Sequence, residues 1–142
     1  MKEHLFWHDI DRLVDDLCAT ILVDCNKNGT TPEETFEAIY GIPRGGLVIA
    51  VMMSHKLDIP LITDLRGMYG KKFLIVDDIA DTGKTLEKSK KLEVCDKAKY
   101  ATIHYHKQSV AEPEYWVSEK GDKWIVYPWE LDDSDEIQDY LV

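Results

Sequence analysis

The sequence predicts a single α/β domain over residues 1–142, with a mainly parallel sheet flanked by helices, and three observations lead there. Apolar runs over 36–42, 59–63, 73–79 and 100–106 have the length and residue types of strands. The segments 47–57 and 83–94, which separate them, read as helices. Strand, turn and helix in repeated alternation is the order of a parallel sheet, in which each connection crosses over through a helix.

Each element has its own signal. Over 9–26 the apolar residues Ile10, Leu13, Val14, Leu17, Cys18, Ile21 and Leu22 recur at three- and four-residue steps, with Asp9 placed to cap the helix start. Asn28-Gly29 ends that helix, and 30–34 is a polar connector. The run Phe73-Leu74-Ile75-Val76 is continuous rather than alternating, which marks a strand buried on both faces. The segment 64–72, with Gly67 and Gly70, reads as a loop. A further extended run covers 124–129, and Ser134 is placed to start a short helix carrying Ile137, Tyr140 and Leu141 inward.

Composition narrows the function. A net charge of −10 argues against nucleic acid, whose affinity depends on Lys and Arg neutralising phosphates. A small anionic ligand remains compatible, because it needs only a few local donors. No run reaches the roughly 18–20 apolar residues of a membrane span, and the start of the chain lacks an apolar signal-peptide core. Cys18, Cys25 and Cys95 are odd in number and lack metal-type spacing, so reduced thiols in a cytoplasm are expected.

The most informative stretch is Leu74-Ile75-Val76-Asp77-Asp78-Ile79-Ala80-Asp81-Thr82-Gly83-Lys84-Thr85. A strand ends in paired carboxylates, and a short loop then opens a helix at Thr82 to Thr85. Backbone N–H groups converge at such a helix start and favour a phosphate. Gly83 allows close approach, and the hydroxyls of Thr82 and Thr85 add donors. Gly83-Lys84-Thr85 matches the end of a Walker A loop, yet that motif needs a glycine where this chain has Asp78. Asp77, Asp78 and Asp81 would repel a triphosphate. They suit sugar hydroxyls, a metal ion or a protonatable base.

Val76 to Thr85 resembles the phosphoribosyl pyrophosphate (PRPP) signature of type I phosphoribosyltransferases, and its Asp-Thr-Gly-Lys-Thr ending resembles the xanthine-guanine and hypoxanthine-guanine branch. The resemblance implies the Rossmann-like fold of that family and a transfer of the 5-phosphoribosyl group of PRPP to a 6-oxopurine. It implies that Asp77 and Asp78 hold the ribose hydroxyls and a Mg²⁺ ion, that Asp81, Thr82, Gly83, Lys84 and Thr85 cradle the 5-phosphate, and that Asp81 is the base for the purine N7 proton. Gly41-Ile42-Pro43-Arg44-Gly45-Gly46-Leu47 resembles the family's pyrophosphate loop, with Arg44 as the cation, Gly45 and Gly46 supplying backbone donors, and the Pro43–Arg44 peptide expected to be cis. By the same resemblance Lys107 donates to the purine O6, Trp124 stacks on the base, and backbone groups near Ile125 read its edge. A homodimer or homotetramer is expected on the same ground.

Two features stand apart. His104 and His106 alternate onto one strand face at a spacing that two metal ligands could use, with no third ligand evident. The family's long lid loop, with its Ser-Tyr pair, should fall between the strands at 59–63 and 73–79, where only 64–72 is present. This shortened lid favours an alternative reading as a non-catalytic PRPP or nucleotide sensor. The set Asp81, Lys107 and Trp124 favours an enzyme, because a sensor of PRPP needs no base-recognition residues.

Overall fold

A computed structural model describes residues 1–132. Its centre is a five-stranded sheet, all parallel, in the order β3-β2-β4-β5-β6. The strands are β2 (Ile39–Gly41), β3 (Leu61–Ile62), β4 (Leu74–Ala80), β5 (Lys99–Tyr105) and β6 (Tyr115–Glu119). A separate two-stranded parallel ladder joins β1 (Lys2–His4) to β7 (Trp124–Val126). The helices are α1 (Trp7–Lys27), α2 (Pro32–Thr35), α3 (Gly45–Leu57) and α4 (Lys84–Lys90), and a 3₁₀ turn follows at Glu93–Cys95.

The sheet is covered on both faces, as parallel sheets require. Ile10, Val14, Leu17 and Ile21 of α1 and Ile49, Ala50 and Met53 of α3 pack on Leu74, Val76, Ala101 and Ile103. A second cluster contains Phe73, Ile75, Leu86, Cys95 and Tyr100. Full burial of each Val, Leu, Ile, Met or Phe among them contributes about 1.5–3 kcal/mol. The unbroken apolar run at the start of β4 is thus explained by core on either side of it.

Several boundaries differ from the sequence reading. Asp9 does not cap α1 from outside; it sits in the first turn, where its Oδ2 accepts the Phe6 N–H at 2.8 Å. The strand expected over 36–42 shortens to Ile39–Gly41, because Phe36 closes α2 with its N–H on Pro32 O. That expected over 59–63 shortens to Leu61–Ile62. The helix expected to reach Val94 stops at Lys90. The run 124–129 contributes only Trp124–Val126, in the smaller ladder. Both β1 and β6 escaped the sequence reading, and the helix expected from Ser134 lies outside the described residues. Among the described residues no helix is long and apolar enough to cross a membrane.

Candidate active site

Strand order reverses between β2 and β4. From β2 the chain moves outward to β3, then returns to place β4 on the other side. Ligands of parallel sheets bind beyond the carboxyl ends of the strands at such a switch point. The β2–α3 and β4–α4 turns are therefore neighbours, as their sequence positions implied.

In the first turn, the Pro43–Arg44 peptide is cis as expected, and Gly45 and Gly46 already belong to α3. Their lack of a side chain has a local cause. A β-carbon on Gly45 would fall on the Asp78 carboxylate, and one on Gly46 would meet Val76 O and lie 2.9 Å from Asp77 Cα. The start of α3 is thus pressed directly against the acidic pair.

Asp77 and Asp78 end the buried stretch of β4, exposed by only 8% and 9%. Asp77 Oδ1 accepts the Asp78 N–H at 2.9 Å, and Asp78 Oδ1 accepts the Ile79 N–H at 2.8 Å. Burial pushes the Asp78 carboxyl up to about 6; the Asp77 contact opposes this and the Glu130 charge adds to it. Among the described residues no group of three or more His, Cys, Asp or Glu converges as a metal site.

The second turn adopts the helix start that its sequence predicts. Gly83 has φ +80°, in the left-handed region, and caps α4. A β-carbon there would strike Ser109 Oγ and approach the N atoms of Val110 and Ala111 to 2.8 Å. The loop after β5 thus clamps the turn, and the Val110 N–H donates to Thr82 O at 2.9 Å. Within the turn, the Lys84 N–H donates to Thr82 Oγ1 at 3.3 Å.

Asp81, 9% exposed, is bracketed by two partners that sequence reasoning missed. His106 Nδ1 lies 2.9 Å from Oδ1, and Lys120 Nζ donates to Oδ2 at 3.0 Å. Lys120 also sits 4.9 Å from the centre of the Trp124 ring, whose Nε1 is buried without a hydrogen-bond partner. These contacts span 25 and 39 residues of sequence, and no local motif announces them.

The remaining expected residues are placed unevenly. Trp124, joined to Asp81 through Lys120, and the adjacent Ile125 belong to β7 beside the site. Lys107 does not join them. β5 ends at Tyr105, and the Lys107 side chain is 79% exposed with Nζ 3.7 Å from Glu119. The two histidines part as well. His104 is buried with Nδ1 2.8 Å from the Tyr127 hydroxyl, whereas His106 turns to Asp81. Desolvation, aided by the Lys120 charge, holds His104 down to about 4. Tyr127 stacks on Trp129 at 4.9 Å, and Trp129 Nε1 would lie 3.3 Å from a β-carbon on Gly45. The Tyr127 hydroxyl also donates to Asp78 O at 3.4 Å.

The segment between β3 and β4 is short. Met68 is buried beneath it, its N–H donates to Leu65 O at 3.2 Å, and the Lys71 N–H donates to Met68 O at 3.1 Å. Arg66, 92% exposed, grips Asp64 through Nε and Nη2.

Two glycine-bearing helix starts beside three carboxylates, at the switch point of a parallel sheet, mark an α/β protein with its ligand site at the carboxyl edge. The family model described as "Phosphoribosyl transferase domain" matches residues 62–135. The chain is 30% identical over 122 residues to a xanthine-guanine phosphoribosyltransferase of Idiomarina loihiensis, spanning 70% of this chain and 74% of that one. It is 31% identical over 120 residues to the enzyme of that name from Desulfotalea psychrophila, with the same coverage. A purine phosphoribosyltransferase crystal structure from Pyrococcus horikoshii superposes with a TM-score of 0.72 at 33% identity, covering 92% of this chain and 94% of that one. The chain belongs to the type I phosphoribosyltransferase family, in its purine branch.

Proposed function

We propose that the chain transfers the 5-phosphoribosyl group of PRPP to a 6-oxopurine (guanine, xanthine or hypoxanthine), yielding the nucleoside 5′-monophosphate and pyrophosphate. The observation that carries this reading is the placement of Asp77, Asp78 and Asp81 between the glycine-rich start of α3 and the clamped turn before α4. Asp77 and Asp78 accept hydrogen bonds from the ribose hydroxyls. The turn of Asp81, Thr82, Gly83, Lys84 and Thr85 receives the 5-phosphate on backbone N–H groups and hydroxyls. Arg44 and the backbone of Gly45 and Gly46 stabilise the charge that develops on departing pyrophosphate. Trp124 stacks on the purine, which adds about 1–3 kcal/mol. As purine N9 bonds to the anomeric carbon and the pyrophosphate oxygen leaves it, the N7 proton grows acidic and passes to Asp81.

The acidic pair fits a Mg²⁺ ion that draws its other ligands from substrate oxygens and water, which is its usual habit. Asp77 and Asp78 would hold it, and when bound it would neutralise pyrophosphate charge. The arrangement of Asp81 with Trp124 weighs against a PRPP sensor, which has no need of base-binding groups. The test is a transferase assay with PRPP, Mg²⁺ and each purine in turn. Formation of nucleoside monophosphate from at least one 6-oxopurine is expected, and failure with all of them would sink the reading.

A further inference from the structure

His106 Nδ1 lies 2.9 Å from Asp81 Oδ1. An ionised carboxylate has no hydrogen to offer, so at this distance Nδ1 carries the proton and donates it. The contact thereby selects the tautomer of the ring. The backbone of His106 is held on both sides. Its N–H donates to Ala80 O at 3.0 Å, the residue before Asp81, and its carbonyl accepts the Ser109 N–H at 2.9 Å. Imidazole and carboxylate therefore stand at the end of one hydrogen-bonded ladder, β4 against β5. The His106 side chain is only 22% exposed, which limits competition from water for the contact.

Lys120 Nζ holds the other oxygen of Asp81 at 3.0 Å. A carboxylate has about four lone-pair sites, so these two contacts leave one for an incoming proton. Asp81 can accept that proton with both partners in place. The partners differ in what else they touch. Lys120 also lies 4.9 Å from the centre of the Trp124 ring, so it joins the acid to the base-stacking residue. His106 meets the site at Asp81 itself.

We propose that His106 is a positioning residue for the transfer, fixing the carboxylate plane of Asp81 so that a free lone pair faces purine N7. The N7 proton passes to that lone pair as the N9–carbon bond forms and the carbon–pyrophosphate bond breaks. His106 keeps its contact and its own proton throughout. A donor on Oδ1 lowers the basicity of the carboxylate. The reaction tolerates this, because the N7 proton grows acidic as N9 takes up the sugar. What the contact supplies is orientation, where a misplacement of about 1 Å can cost about 10²-fold in rate. His104, two residues earlier, cannot take over, since its Nδ1 is engaged with the Tyr127 hydroxyl.

This inference rests on the proposed transfer to a 6-oxopurine, and its test separates the two. The intact protein is assayed with PRPP, Mg²⁺ and hypoxanthine, guanine or xanthine, for wild type, His106→Leu, His106→Asn and His106→Gln. His106→Leu should lower kcat by about 10- to 100-fold, with the KM for PRPP held within about threefold. The amide nitrogen of an asparagine stands where Nδ1 stands, so His106→Asn should return kcat to within about threefold of wild type. A glutamine carries its amide one carbon further out, and His106→Gln should recover little. In an Asp81→Asn background, His106→Leu should cost less than about twofold more, because no carboxylate is left to position. Nitrogen-15 shifts of the wild type should show a proton on His106 Nδ1. Unchanged kcat in His106→Leu would overturn the inference, as would a KM for PRPP that rises in step with the loss, which would make the role structural. A His106→Asn protein as slow as His106→Leu would overturn it too, by giving the proton to the imidazole. So would an undiminished loss in the Asp81→Asn background, or an Nδ1 without its proton. A wild type that transfers to no 6-oxopurine would overturn the functional reading itself, before any variant is compared.

Discussion

The backbone of Gly45 lies so close to the Asp78 carboxylate that a β-carbon on one would overlap Oδ2 of the other. The β2–α3 turn and the acidic pair are therefore one packed unit, although 33 positions separate Gly45 from Asp78 in sequence. Gly46 reinforces the contact against Val76 O and Asp77 Cα.

Gly45→Ala should displace the Asp78 side chain and cost about 1–3 kcal/mol of stability, with PRPP binding weakened. Gly46→Ala should cost more, because it meets backbone, which cannot swing aside. Gly67→Ala, which meets no atom within 4 Å, isolates the effect of its left-handed φ of +82°. Denaturant unfolding and PRPP titration of the three variants check this, and a Gly46→Ala protein as stable as wild type would contradict it.

Asp81→Asn should lower kcat by roughly 10² to 10⁴ while PRPP affinity stays within a few fold. The amide keeps the size of the side chain and removes its capacity to accept the N7 proton. Steady-state kinetics with PRPP and base varied separately are the measurement. Unchanged turnover would assign the proton to another group.

His104 links pH to stability. Its folded value, about 4, lies below the ordinary histidine value of 6.5, so the unfolded chain takes the proton first. The stability contributed by neutral His104 is complete above about pH 6.5 and is lost as pH falls towards about 4. Asp78 acts with the opposite sign. Raised from 3.8 to about 6, it contributes stability that is present at low pH and lost as pH rises through about 6. Comparison with His104→Gln isolates the histidine. The advantage of wild type over that variant should shrink by about 2–3 kcal/mol between pH 7 and 4.5. A constant difference across that range would show that His104 is protonated as easily folded as unfolded.

The short β3–β4 segment predicts a site open to water. PRPP with Mg²⁺ but no purine should be hydrolysed at a measurable rate, because nothing in 64–72 is long enough to seal the anomeric carbon. Pyrophosphate release without base is the readout. Its complete absence would point to closure by another subunit.

The sequence by itself determined the fold class and the two glycine-bearing turns that start α3 and α4, because both rest on local information. A continuous apolar run ending in Asp77-Asp78 specifies a buried strand and what lies at its end, and Gly83 before Lys84 and Thr85 specifies a helix start. Only the tertiary structure decided how the base end of the site is assembled. Tyr115–Glu119 pairs with β5 as an edge strand, and its short run carried too little pattern to be read alone. Lys2 pairs with Trp124 across nearly the whole chain, which no local periodicity encodes. Lys107 is next to the strand end in sequence, yet β5 stops at Tyr105 and the chain turns Lys107 to solvent. Lys120 reaches Asp81 only because β6 runs parallel to β5, which brings the loop after it to the carboxyl edge of the sheet. Strand pairing, a long-range choice set by burial of whole faces, thus selects which of two lysines enters the site.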